Sequence, residues 1–220
     1  MGAPRVVSVN VGQAFAAGWA GHLGRTAIDK HPLGWPVHVG SLGLDGDEQA
    51  DTDNHGGTYQ AVYAYAREDL GWWSGRLGRP LRDGLFGENL TTTGLEVSSA
   101  VIGERWRAGG VLLEVTQPRI PCGVFRNWMG ERGWVKRFAE AGRAGAYLRV
   151  VEPGWLEAGD PIDVVHRPAH SATVRDVFRL HYGDPEPLAR LEAATDLPPE
   201  VLMRVRRAAR AASETGAATQ

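Results

Sequence analysis

The stretch VTQPRIPCGVF, Val115 to Phe125, holds Cys122, the single cysteine among the 220 residues. A lone thiol cannot close an internal disulfide. Pro118 and Pro121 fix an irregular backbone around it, and Arg119 brings positive charge that favours a thiolate. A thiolate there could serve as a soft ligand for a transition metal. The Arg119 fork could grip a phosphate or a carboxylate with two prongs. A buried, small, apolar role for Cys122 fits the same residue types, and the sequence by itself leaves both roles open.

Two further stretches put polar groups on glycine-rich bends. In DNHGGTYQA, Asp53 to Ala61, His55 can act as an acid, a base or a metal ligand. Gly56 and Gly57 can expose backbone N–H groups to an anion with no side chain in the way. In GLFGENLTTTGL, Gly84 to Leu95, the run Gly87, Glu88, Asn89, Leu90 makes a polar turn. Asn89 can present both a donor and an acceptor to the edge of a heterocycle. A plain tight loop and a hairpin corner fit these stretches as well. The chain has no Walker phosphate loop, no Gly-x-Gly-x-x-Gly turn, no zinc-ligand spacing and no Gly-x-Ser-x-Gly elbow.

These groups need a scaffold. With 29 glycines, the chain favours many turns and short strands over long helices. Strands are expected at Arg5–Val11, Ala61–Ala66, Val111–Gln117, Ala146–Val151 and Pro161–Val165, with a type II turn at Pro153-Gly154. Helices are expected at Arg67–Gly78, with Leu70, Trp73 and Leu77 on one stripe, and at Gly133–Gly142, with Val135, Phe138 and Ala139. After His170 the composition changes. Thr173 reads as an N-cap followed by Val174, Val177, Phe178 and His181 at helical spacing, and two more short helices follow. The expected fold is mixed α/β and mainly β: a closed or strongly bent sheet with helices packed outside it, plus a small three-helix tail. A formal net charge of −2, with 43% apolar residues, calls for neither nucleic acid nor an anionic membrane as partner. No apolar run approaches the roughly 20 residues needed to span a bilayer. One cysteine and no export signal make a cytoplasmic location the expectation.

Taken in order, GDEQ…HGG, FGENL and QPRIPC resemble the MOSC family, the C-terminal domain of molybdenum cofactor sulfurases, and most closely its YiiM-like branch. The resemblance runs from about Val6 to Arg207. It implies a MOSC domain at 1–166, with a β-barrel-like core, and a small three-helix domain at 167–220. It implies a molybdenum cofactor (molybdopterin) with Cys122 as the molybdenum ligand. It places Gly56, Gly57, Gly87, Glu88, Asn89, Leu90, Gln117 and Arg119 around the cofactor, with Cys122 and His55 as the catalytic pair and His55 as the proton donor. The implied reaction is reduction of small N-hydroxylated compounds, such as 6-hydroxylaminopurine, to amines, with electrons from a separate donor protein. A homodimer is compatible with it. A cofactor carrier or sulfur-transfer protein without turnover is the alternative. Relatives often carry a lysine before the HGG histidine and a basic residue after HGG. Here Thr52, Asp53 and Asn54 precede His55, and Thr58, Tyr59 and Gln60 follow Gly57. Anion binding is therefore expected to weaken unless arginines elsewhere compensate.

Overall fold

Alternating and fully apolar runs along the first two-thirds of the chain build one large sheet. The computed structural model describes residues 2–50 and 56–217. Its strands are β1 (Arg5–Val11), β2 (Phe15–Ala16), β3 (Arg25–Thr26), β4 (His31–Pro32), β5 (Val37–Gly40), β6 (Gly43–Leu44), β7 (Val62–Ala66), β8 (Leu90–Thr93), β9 (Arg105–Ala108), β10 (Val111–Gln117), β11 (Ala146–Glu152), β12 (Gly154–Leu156) and β13 (Ile162–His166). Its helices are α1 (Arg67–Leu77), α2 (Gly123–Met129), α3 (Trp134–Ala141), α4 (Val174–His181), α5 (Leu188–Glu192) and α6 (Pro199–Ala217). No described helix is long and apolar enough to cross a membrane.

The main sheet has the order β13-β9-β10-β11-β7-β8-β1-β4. It is antiparallel except for β7 and β8, which run parallel and are joined through α1. The sheet curls until its two ends approach. Arg5 of β1 bridges Pro161, Val6 N donates to Asp160 O at 2.9 Å, and Ile162 N donates to Pro4 O at 3.0 Å. This gives the expected mainly-β, barrel-like core with peripheral helices. Curling hides most of the backbone edge that an open sheet would leave exposed.

β7 is buried along its whole length. Val62, Ala64 and Ala66 join the cluster inside the curl, and Tyr63 and Tyr65 join a second, aromatic cluster outside it. That second cluster collects Trp73 of α1, Phe86, Phe125 of α2, and Trp134 and Phe138 of α3. Trp73 and Trp134 have ring centroids 4.7 Å apart, and Trp73 and Phe138 stack within 6° of parallel. Truncating one such buried ring to alanine costs about 3–5 kcal/mol. The cluster therefore fixes α1, α2 and α3 against one face of the sheet.

Several local expectations needed adjustment. The buried face of α3 is Trp134 and Phe138 rather than Val135, Phe138 and Ala139, because the indole of Trp134 packs on Trp73. There is no type II turn at Pro153-Gly154. Gly154 is absent from the positive-φ glycines and begins β12, where a Cβ would collide with the backbone of Gly110. Close backbone approach, not turn geometry, demands that glycine. Thr173 does cap α4, through a capping box with Asp176. His181, however, lies on the exposed side of α4, with its Nδ1 2.7 Å from the Arg204 Nη1 atom. The three C-terminal helices share the inner cluster with the sheet, through Val174, Val177, Leu191, Val201 and Val205.

Candidate functional site

β10 carries the chain to the site. Beyond Gln117, residues Pro118 to Pro121 leave the sheet, and Cys122 turns in extended geometry (φ −106°, ψ 178°) to cap α2. Its carbonyl accepts from Arg126 N at 3.0 Å. The sequence suggested an irregular loop throughout this region. The helix begins immediately after Cys122 because Phe125 and Met129 have the aromatic cluster to bury against. The thiol is thereby held half-buried at the edge of a cavity of ≈370 Å³. That volume lies in the range of small-molecule and cofactor sites.

Arg119, Cys122, Gly87 and Asn89 all line this cavity, so four of the residues singled out in the sequence are neighbours in space. Arg119 is 8% exposed. It donates to the Phe86 carbonyl, lies 4.1 Å from the Phe125 ring centroid and 5.1 Å from that of Tyr63. Among the described residues no carboxylate forms an ion pair with it. The nearby phenols do not supply a counter-charge either, because burial raises Tyr63 and Tyr147 above the usual tyrosine range and keeps them neutral. Gly87 has φ +77°, and a Cβ there would press on Ile28 and lie 3.5 Å from the Arg119 Nη1 atom. The missing side chain leaves the guanidinium open to the cavity.

Asn89 is held by three bonds. Its Oδ1 accepts from Tyr63 N at 3.1 Å, and its Nδ2 donates to Asp47 Oδ2 at 2.8 Å and to Asn10 O at 3.3 Å. Glu88 and Leu90 belong to the same motif but lie behind the wall, outside the cavity lining. The Glu88 carboxylate ties the bend together, accepting from Gly84 N at 2.7 Å, Phe86 N at 2.9 Å and Thr91 Oγ1 at 3.2 Å. Full burial raises its pKa from 4.5 to about 7 against those donors. Leu90 is a core residue of β8. Gln117 is also outside the lining, and its amide donates to Glu200 Oε2 of α6 at 2.6 Å.

The HGG bend is described from Gly56 onward, and His55 lies outside the described residues, as do Thr52, Asp53 and Asn54. Gly57 has φ +80° and caps a short 3-10 turn, Thr58–Gln60. Neither Gly56 nor Gly57 is among the residues lining the cavity, but Gln60 is. Thr116 Oγ1 fixes this turn by donating to the Tyr59 carbonyl at 2.6 Å. Gln60 Oε1 is buried with no hydrogen-bond partner among the described residues. A buried orphan acceptor is costly unless something donates to it, and here it borders the cavity.

The structure adds residues that motif reading passed over. Lys30 and Asp47 form an ion pair whose side chains are only 9% and 4% exposed, and both line the cavity. Burial lowers the Lys30 pKa, and Asp47 opposes that shift. Asp47 also accepts from Gly12 N at 2.8 Å. Arg25, Arg126 and His22 border the same space, as do Tyr63 and Tyr147. Of these basic groups Lys30 pairs with Asp47 and Arg25 with Glu48, which leaves Arg119 and Arg126 without a carboxylate partner among the described residues. The one available sequence signal was Asp47 itself, inside the GDEQ stretch. Nothing local marks Lys30 as its partner.

Among the described residues, no three His, Cys, Asp or Glu side chains cluster to hold a metal. A metal bound at Cys122 would therefore take its other ligands from outside the described residues or bring them with it. The donor set suits such a group: a thiol for a soft metal, an unpaired guanidinium for an anion, and an orphan amide oxygen for a heterocycle N–H.

Known proteins resemble this chain over most of its length. The model of the MOSC domain family matches residues 51–163. YflK of Bacillus subtilis (strain 168) is 33% identical over 187 residues, covering 85% of each chain. A Gibberella moniliformis protein named Reductase is 35% identical over 179 residues, which are 79% of this chain and 31% of that longer one. The crystal structure of YiiM from Geobacillus stearothermophilus superposes with a TM-score of 0.77 at 27% identity, over 93% of this chain and 98% of that one.

Proposed function

The chain belongs to the MOSC domain family, whose function is associated with the molybdenum cofactor, and from that premise we propose that it is a molybdopterin-dependent reductase of N-hydroxylated compounds. The net reaction is R–NHOH + 2e⁻ + 2H⁺ → R–NH₂ + H₂O, with the electrons drawn from a separate donor protein. The observation that carries this reading is Arg119: a buried guanidinium without a carboxylate partner among the described residues, on the same cavity wall as Cys122. The similarity to a fungal protein named a reductase supports the reaction class.

In this reading the Cys122 sulfur would ligate the molybdenum. Arg119 would take the cofactor's anionic group and Gln60 Oε1 would accept from its heterocycle, while Asn89, already held by Tyr63, Asp47 and Asn10, would border the ring. The bound cofactor supplies the two-electron redox chemistry. Lys30 and Asp47 form a mutually neutralising pair along the wall. His55 is the proposed proton donor, on the sequence argument alone, since its ordinary pKa lies near neutrality. Gly56 and Gly57 lie outside the cavity lining, so the anion-binding role proposed for their N–H groups rests on the sequence argument alone.

The test is to isolate the protein from a host that makes the cofactor and to measure bound molybdenum in wild type and Cys122→Ala. Equal metal in both refutes the ligand assignment. A chemical reductant and 6-hydroxylaminopurine then decide turnover. Amine formation supports a reductase, whereas bound metal with no amine leaves a carrier. Unchanged turnover in His55→Ala removes that residue from proton transfer.

A further inference from the structure

The mouth of the cavity is framed by the loop between β2 and β3, which folds back on itself when Ala17 N donates to Gly24 O at 2.8 Å. Phe15, Trp19 and Leu23 on this hairpin are each 37% exposed, an apolar group the hairpin does not bury for itself. Trp19 is the member with a fixed setting. Its carbonyl accepts from Asn127 Nδ2 at 2.7 Å. Its indole stacks on Trp128 at 6.0 Å and 30°, and the Phe15 ring lies 6.3 Å away at 64° to it. Trp128 is itself anchored, donating from Nε1 to Leu85 O at 2.7 Å. Asn127 and Trp128 both lie on α2, the helix capped by Cys122. One rigid helix therefore positions both the thiol and the tryptophan. Trp19 lines the cavity, together with His22, Arg25 and Asn127, whose polar atoms can meet a ring edge.

We propose that Trp19 is a stacking platform at the cavity mouth for a planar heteroaromatic substrate, so that flat N-hydroxylated bases are preferred over small aliphatic hydroxylamines. This rests on the reductase reading above. A braced indole loses little freedom on binding, and a π-face accepts any flat base without demanding a particular hydrogen-bond pattern. The same chemistry could be offered by the pterin of the cofactor. The position of Trp19 at the exposed mouth favours the substrate.

The experiment has three arms, on wild type, Trp19→Ala and Trp19→Phe. Adenine binding to cofactor-free protein is measured by calorimetry. Weakening of about 5- to 100-fold in Trp19→Ala, largely restored in Trp19→Phe, is expected for the loss of one stacking partner. Equal binding in all three proteins, or none to wild type at millimolar adenine, overturns the proposal. In the loaded enzyme, KM for 6-hydroxylaminopurine should rise at least fivefold more than KM for hydroxylamine in Trp19→Ala; equal rises overturn it. Molybdenum content of the isolated variants separates the two ring sources. Loss of metal in Trp19→Ala assigns the platform to the pterin and overturns the substrate role. If wild type reduces neither compound, the reductase reading fails, while the adenine arm still decides whether Trp19 stacks a base.

Discussion

Arg119→Met separates a binding residue from a structural one, because the two roles move stability and affinity in opposite ways. In the cofactor-free protein the substitution removes a buried charge that has no carboxylate partner among the described residues, and relief of that desolvation is worth several kcal/mol (about 3). Against this, the Phe86 carbonyl loses its donor, at about 1–3 kcal/mol. Contacts with the Phe125 and Tyr63 rings are lost as cation–π pairs, at about 0.5–1 kcal/mol each, though methionine keeps their apolar part. The terms nearly cancel, so urea unfolding of the empty variant should fall within about 1 kcal/mol of wild type. Anion binding has no such compensation. Loss of a charge-assisted bond of about 1.5–3 kcal/mol weakens it roughly 10- to 150-fold. Inorganic phosphate followed by calorimetry is a sufficient probe, and Arg119→Lys should fall between, since it keeps charge but not the fork. A variant that loses more than about 3 kcal/mol while binding phosphate as wild type does would show that the guanidinium is a packing element, and the anion argument would be wrong.

Lys30→Met should cost about 3–5 kcal/mol by leaving Asp47 buried without its cation, and adding Asp47→Asn should recover at least half of that in chemical unfolding. Glu88 has a folded pKa raised from 4.5 to about 7. Its contribution is therefore fully present below pH 4.5 and is lost as pH rises through 7, a fall of about 3 kcal/mol. Glu88→Gln should abolish that part of the stability–pH slope while lowering stability at acid pH, because the amide turns a donor toward one of the backbone N–H groups; an unchanged slope counts against the assignment. Gly84→Ala should destabilise by well over ~1 kcal/mol in thermal melts, since φ is +79° and the new Cβ would meet the Lys30 carbonyl.

The scaffold was legible wherever a local period or cap decided the outcome. β1 and β10 occupy the spans their apolar runs mark, and Thr173 announces α4 through its capping box. The face of α3 was less legible, because the choice between Val135 and Trp134 depends on Trp73, which is remote in sequence. The site divides in the same way. Arg119 and Cys122 are three residues apart, and their setting is visible in a short window. Asp47 stands inside the GDEQ stretch, but nothing near Lys30 in the sequence marks it as the partner, and only the fold buries the two together. The FGENL run hides a different distinction: Gly87 and Asn89 face the cavity while Glu88 and Leu90 support it from behind. Trp19 carried no local mark at all, since its setting comes from Asn127 and Trp128 on a distant helix.

The Gln117–Glu200 hydrogen bond ties the strand leading into the thiol loop to the last helix. Translation delivers that helix after every other described part of the chain. A nascent polypeptide that has already formed its barrel still carries an unmet amide two residues ahead of Arg119. Until α6 docks, the strand leading to Arg119 and Cys122 lacks that anchor, although no described α6 residue lines the cavity itself.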